Sequence, residues 1–293
     1  MVKNWHKPRC FLEELTDKQL ASLGRIKAAG IDVDFTLLNS DYEVSEENLR
    51  AIQEAQQAGL GVHLITGRSL QTLQVILEEV RFTELMAISG GAFIYDPVEQ
   101  VIVEKRLIPR ANAEIVVRTA RAAKAAVFLY FPEAIYVEAT PELLEGWHGQ
   151  RTYRPVETED ILAETSGDPN KIAVYGKNAQ LKGIEKEARA AGADLFYAYP
   201  HSYFLDITHP EAGKGDALRR LCSKCGILPE EMLVIGDGEN DLPMFEAAGF
   251  SVALDNGAPA LKAAADFIGP SNEKNGVAWV LDMLLAVYRG YST

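Results

Sequence analysis

The sequence predicts an α/β fold: a Rossmann-like, doubly wound parallel-sheet core into which a second, α+β domain is inserted. Three observations point there. Short apolar runs alternate with helix-period stretches at both ends of the chain. Polar residues able to do chemistry collect where those runs stop. Between them lies a block with a strand-richer rhythm, after which the first pattern resumes. Strands joined through helices pair in parallel, and such sheets carry their sites at the carboxyl ends of the strands.

In chain order, Thr16-Asp17-Lys18-Gln19 reads as a capping box opening a short helix with Leu20 and Leu23. This leader, residues 1–24, precedes the first strand. The apolar run Ile26 to Val33 is that strand, and Asp32 and Asp34 stand at its end. Ser45 caps a helix through Ala58, with Glu46 and Glu47 in its first turn and Gly59 as its stop. Gly61 to Ile65 is a buried strand, and His63 in it reads as a satisfied core histidine. Thr66-Gly67-Arg68-Ser69 joins it to a helix with Leu70, Leu73, Ile76, Leu77 and Val80 at helical spacing. Leu85 to Ile88 is a third strand, followed by Ser89-Gly90-Gly91-Ala92. A hairpin around Asp96-Pro97 closes through Val101 to Val103.

The different block follows: a helix over Ala111 to Ala125, strands Val127 to Phe131 and Ala134 to Val137, and a loop-rich middle with Trp147, His148, Arg151 and Tyr153. Then come strand Lys171 to Tyr175, helix Ala179 to Ala191, and strands near Phe196 and over Phe204 to Ile207. Its own apolar content marks it as a domain, 108–207, inserted in a core made of 1–107 and 208–293. Gly213-Lys214-Gly215-Asp216 opens a helix to about Cys225. Met232 to Ile235 has the unbroken apolar character of a central parallel strand, ending in Gly236-Asp237-Gly238-Glu239-Asn240-Asp241. A helix over Leu242 to Ala248, strand Phe250 to Leu254, a turn at Asp255-Asn256-Gly257 and a terminal amphipathic helix over Gly276 to Tyr288 complete the chain.

Composition narrows the function. The chain has 293 residues, 47% hydrophobic and 24% charged, and a net charge of −13. That acidity argues against nucleic acid or an anionic membrane as partner, and an anionic substrate would need a locally positive pocket. No apolar run reaches the roughly 18 residues that span a membrane. The first residues lack the apolar core of a secretory signal. Three cysteines fit a reducing cytoplasm. Cys222 and Cys225 have redox or zinc spacing but no second ligand pair, and read as helix packing residues.

Asp32 and Asp34, Thr66, Lys214, and Asp237 with Asp241 all fall at a strand end or a following helix start, so one edge of the sheet would collect them. Buried acids repel one another, and hard oxygen ligands of this kind suit Mg²⁺. Acids, a lysine and a hydroxyl at one edge describe phosphoryl transfer, with an aspartate attacking phosphorus.

The arrangement resembles the haloacid dehalogenase (HAD) superfamily of phosphatases, and within it the Cof-like hydrolases with a type C2B cap. Asp32-Val33-Asp34-Phe35-Thr36-Leu37-Leu38 resembles the first motif, Ile65-Thr66-Gly67-Arg68 the second, Lys214-Gly215 the third and Gly236 to Asp241 the fourth. The resemblance implies that 108–207 is a cap over a five-to-six-strand core. It implies Asp32 as the nucleophile forming an aspartyl phosphate. Asp34 would be general acid and then base, with its backbone carbonyl on the metal. Thr66, Gly67, Arg68 and Lys214 would hold the phosphoryl group, Lys214 also steadying Asp32. Asn240 would touch phosphate or substrate. Asp32, Asp34, Asp237 and Asp241 would form the Mg²⁺ site.

Two positions depart from the family. Phe35 stands where glycine is usual, so the turn is expected to accommodate a side chain. Gly90 stands where asparagine is usual, removing a polar contact. The expected function is a cytoplasmic, Mg²⁺-dependent hydrolase of small phosphoesters, a monomer or homodimer. A phosphosugar mutase is the alternative, and a non-catalytic phosphometabolite-binding protein a more distant one. Dehalogenation is disfavoured, because Asp34 supplies acid chemistry it does not need. Arg68, Trp147, His148, Arg151, His201 and Tyr203 are the candidates for substrate selection.

Overall fold

The computed structural model describes residues 15–140 and 154–289, with Pro200 and His201 described by their backbone. Trp147, His148, Arg151, Tyr153 and the side chain of His201 therefore lie outside the described residues.

Helix α1 (Asp17–Leu23) opens on the expected capping box: the Thr16 hydroxyl accepts the Gln19 N–H while the Gln19 side chain accepts the Thr16 N–H. Leu23 enters the core. The first strand and the elements after it are β1 (Ala28–Ile31), α2 (Glu46–Gln57), β2 (Gly61–Leu64) and α3 (Leu70–Glu79). Next come β3 (Met86–Ile88), β4 (Phe93–Asp96) and β5 (Val101–Lys105), an antiparallel sheet joined to the end of β2 by a parallel bridge between Ile65 and Ala87.

The following block holds α4 (Arg110–Ala122), β6 (Ala126–Tyr130), β7 (Ile135–Glu138), β8 (Val156–Glu157), α5 (Ile161–Glu164), β9 (Lys171–Tyr175), α6 (Asn178–Ala190), β10 (Phe196–His201) and β11 (Phe204–Thr208). Its six strands lie in the order β10-β11-β9-β6-β7-β8. Alternate residues divide its faces. Val127, Leu129, Ile172, Val174, Leu205 and Ile207 pack on Val116, Ala120, Leu181 and Ile184 of the helices. Phe128 and Ala173 turn the other way.

The chain then returns to the first sheet through α7 (Lys214–Cys225), β12 (Met232–Gly236), α8 (Leu242–Ala247), β13 (Phe250–Leu254), α9 (Pro259–Ala264), β14 (Phe267–Gly269) and α10 (Gly276–Tyr288). The five strands run parallel in the order β14-β13-β12-β1-β2. The apolar run read as central, β12, is the central strand. Leu233 and Ile235 pack among Ala51, Ile52, Leu281 and Leu284 of α2 and α10. Met232 and Val234 pack among Leu218, Leu221, Met244 and Leu261 of α7, α8 and α9. The sheet is thus doubly wound, and each such buried side chain contributes about 1.5–3 kcal/mol of transfer energy.

Two expectations are corrected. Helix α10 is not amphipathic: Val277, Ala278, Val280, Leu281, Met283, Leu284, Leu285 and Ala286 are all buried, because α2 and the sheet cover it on several sides. The apolar run Ile26 to Val33 is not all strand: β1 stops at Ile31. The histidine and cysteine readings hold. His63 Nδ1 lies 2.8 Å from the Leu85 carbonyl oxygen, and burial lowers its pKa. Cys222 and Cys225, both on α7, form no disulfide; Cys222 is buried in the core and Cys225 packs half-buried against it.

Candidate active site

After β1 the chain makes a wide turn in which Leu37 N–H donates to Asp32 O at 3.3 Å and Leu38 N–H to Val33 O at 3.0 Å. Within it Phe35 adopts φ 56° and ψ 10°. The turn does accommodate a side chain, as expected, but it does so in the left-handed region that glycine favours. That conformation costs a non-glycine residue about 1–2 kcal/mol. The offset comes from outside the turn: Asn256 donates to the Phe35 carbonyl at 2.8 Å, Asn48 to Leu37 at 3.1 Å and Asn272 to Leu38 at 3.0 Å. Each such bond contributes on the order of 1 kcal/mol. The Phe35 ring is 38% exposed and packs near Tyr42, with centroids 5.9 Å apart.

The turn leaves Asp32 buried at the sheet edge, facing α7. Gly213, at φ 131°, lets the chain enter that helix with Lys214 as its first residue, itself buried. Lys214 Nζ lies 2.5 Å from both Asp32 Oδ1 and Asp241 Oδ1. At the end of β12, Asp241 Oδ2 accepts the N–H groups of Asp237 (3.0 Å) and Gly238 (2.9 Å). Ligand atoms of Asp32, Asp237 and Asp241 lie within 4.8 Å of one another. Three carboxylates at that spacing are a hard-oxygen donor set that fits a divalent cation. The Asp34 side chain is outside this cluster, because Arg68 holds it: Arg68 Nη2 donates to Asp34 Oδ1 at 2.7 Å and Nε at 3.0 Å.

Thr66 is fully buried, and its hydroxyl accepts the Arg68 N–H at 3.1 Å. Gly67 lies beside it in open space, and Asn240 is exposed at the rim. The segment after β3 ties these pieces together. Gly90 N–H donates to Thr66 O at 3.0 Å, and Gly213 N–H donates to Gly90 O at 2.9 Å. Gly91 sits at φ 87°, and a Cβ there would meet the Gly213 backbone at 2.8 Å. Gly91→Ala is therefore expected to lower stability by about 2 kcal/mol or more and to reduce turnover by moving Lys214. An unchanged Tm would contradict this packing. The sequence reading missed Thr36, whose hydroxyl donates to Asp237 Oδ1 at 2.8 Å. It also missed the three asparagines. Thr36 lay in plain view beside the first acids, but no local pattern marks the asparagines.

Electrostatics follow from crowding. Burial raises the Asp32 pKa well above its ordinary value; Lys214 opposes this, and Asp241 and Asp237 add to it. Burial pushes Asp237 up to about 6, partly countered by the Thr36 hydroxyl. For Lys214, burial alone would lower the pKa, but Asp241 and Asp32 outweigh it and raise it. The lysine stays charged in contact with Asp32, whose carboxyl burial makes reluctant to ionise.

With this geometry in view, residues 30–281 match the haloacid dehalogenase-like hydrolase family. A 5-amino-6-(5-phospho-D-ribitylamino)uracil phosphatase of Bacillus subtilis is 27% identical over 295 residues, covering 89% of this chain and 99% of the relative. The phosphatase YwpJ of the same organism is 27% identical over 288 residues, covering 89% and 100%. Among solved structures, a haloacid dehalogenase-like hydrolase from Bacteroides thetaiotaomicron superposes with a TM-score of 0.80 at 25% identity, covering 88% of this chain and 98% of that one.

Proposed function

The chain belongs to the haloacid dehalogenase-like hydrolases and is a phosphoric monoester hydrolase, and from that premise we propose that it cleaves small phosphorylated metabolites in the cytoplasm through an aspartyl phosphate on Asp32. The observation that carries this reading is Lys214 Nζ placed 2.5 Å from both Asp32 and Asp241 at the strand ends. It holds a buried carboxylate where a phosphoryl group would meet positive charge.

An Asp32 oxygen attacks phosphorus, and the ester P–O bond breaks. The leaving oxygen takes a proton from Asp34, which Arg68 holds in position. Asp34 then accepts a proton from water as that water attacks phosphorus, breaking the bond to Asp32 and releasing inorganic phosphate. Lys214 and the Thr66 hydroxyl bind phosphoryl oxygens. Mg²⁺ held by Asp32, Asp237, Asp241 and the Asp34 carbonyl would supply charge against the same oxygens. Residues 108–207 act as a cap that shuts out bulk water. In support, the Gln71 side chain of α3 donates to the Phe131 carbonyl at 3.2 Å and also to that of Pro132.

The test is a panel of phosphorylated sugars, phosphoglycolate and pyridoxal phosphate, read as inorganic phosphate released. Acid-quenched protein is expected to carry a hydroxylamine-labile phosphate on Asp32. Isomerised phosphosugar without phosphate release would replace this reading with a mutase. No turnover of the panel or of p-nitrophenyl phosphate with Mg²⁺ would leave a binding protein.

A further inference from the structure

On the face of the six-stranded sheet away from α4 and α6, one group is unlike its apolar neighbours. Lys171 Nζ lies 2.6 Å from Asp206 Oδ2, with the lysine side chain 13% and the aspartate 27% exposed. Register puts Lys171 opposite Tyr130, and Asp206 opposite Ala173, so the three polar side chains share this face. The Lys171 ammonium stands 5.2 Å from the centre of the Tyr130 ring.

The group lies at the end of the sheet nearest the candidate active site. Tyr130 immediately precedes the Phe131 carbonyl held by Gln71. Beyond Asp206, strand β11 ends at Thr208, whose methyl would lie 3.6 Å from a Cβ on Gly90. The electrostatic surroundings agree. Burial alone would lower the Lys171 pKa, but Asp206 and Tyr130 raise it, and so does Asp34 across the gap between the two sheets.

A largely buried ion pair is a poor stabiliser. Ordering and desolvating two charged side chains takes up most of their attraction. Their joint chemistry is informative in another way. Lys171 is a donor whose charge Asp206 already balances. The pair therefore offers a donor and an acceptor side by side, with no net charge to attract a second anion. A carboxylate or second phosphate on the substrate would meet Asp206 and be repelled. Adjacent hydroxyls would satisfy both members at once, one accepting from Lys171 and one donating to Asp206.

We propose that Lys171 and Asp206, with Tyr130 beside them, bind adjacent hydroxyl groups of the substrate's leaving group and so select phosphorylated sugars or polyols over phosphorylated carboxylic acids. This rests on the phosphatase reading above and adds the chemical class of its substrate.

The experiment compares kcat/KM for glucose 6-phosphate, phosphoglycolate and p-nitrophenyl phosphate in the parent, Lys171→Met and Asp206→Asn proteins. The parent is expected to prefer glucose 6-phosphate to phosphoglycolate. Lys171→Met is expected to lower the ratio of glucose 6-phosphate to p-nitrophenyl phosphate by about tenfold or more. Asp206→Asn frees the ammonium, and is expected to raise phosphoglycolate relative to glucose 6-phosphate. A purely structural pair would lower all three rates by one factor. That result, or an Asp206→Asn protein with the parent's preference, would overturn the inference while leaving the phosphatase reading standing. So would a parent that favours phosphoglycolate. A parent inactive on p-nitrophenyl phosphate and the whole panel would overturn both. The two variants change the pair from opposite ends, so if one fails to fold the other still decides.

Discussion

Asp32→Asn is expected to reduce kcat by at least about 10⁴-fold, the scale on which a covalent nucleophile is lost, with the fold intact. The amide has the size of the carboxylate, and its oxygen can still accept from Lys214. It cannot displace an alkoxide from phosphorus. Stability should not suffer. Burial holds the Asp32 pKa well above its usual value even with Lys214 in contact, so the folded protein already disfavours the ionised form. The metal-free variant is expected to unfold at or above the parent's Tm. Phosphate release within tenfold of the parent would remove Asp32 from the chemistry. A large fall in Tm would show that its charge is structural.

Removal of divalent cation is expected to have an effect of similar size. EDTA-treated protein should lose turnover and regain it with Mg²⁺. Ca²⁺ should inhibit, because its longer and more numerous bonds spoil the octahedral alignment that Mg²⁺ enforces. The same cluster predicts how stability varies with pH. Asp237 is raised by burial from 3.8 to about 6. The metal-free folded state therefore holds a proton that the unfolded chain releases near the lower value. Its stabilising contribution is complete below that value and is lost as pH rises through about 6. A cation takes the proton's place, so the Tm gained on adding Mg²⁺ should be larger well above this value than well below it. Full activity after exhaustive EDTA treatment, or a Tm gain independent of pH, would contradict a metal among these carboxylates.

Much of this was legible in the sequence, for identifiable reasons. Strand β9 runs over Lys171–Tyr175 as read, because a β-branched apolar run between turn residues has few other readings. A capping box placed the start of α1, the Ser45 cap and Gly59 stop placed α2, and the glycines around Lys214 placed the start of α7. Helix α9 and strand β14 were missed: Pro259–Ala264 and Phe267–Gly269 are too short for either period to show. The same holds for β8 and α5. In the site, the positions of Asp32, Asp237 and Asp241 followed from where apolar runs ended, and that of Lys214 from the glycine-flanked start of a helix. Partner choice did not follow. That Arg68 holds Asp34, and that Thr36 holds Asp237 from 201 residues away, depends on how distant segments dock. Phe35 shows the limit most clearly. Its intrinsic preference was read correctly and then overruled by three amides that no neighbouring residue announces.

Those amides also bear on the order in which the molecule comes together. Asn256 and Asn272 reach the turn after Asp32 across 221 and 234 residues of chain, and Asn48, on α2, is itself held by the N–H of Ala278 in α10. Contacts this remote in sequence form late, because a long stretch must close before any of them returns free energy. Asp32 is made early during synthesis, yet the turn that follows it gains its bonds from Asn256 and Asn272 only after nearly the whole chain has been made. An N-terminal fragment that carries both leading acids but ends before Asn256 is therefore expected to release no phosphate, so that completion of the chain would itself act as the switch for phosphoester cleavage.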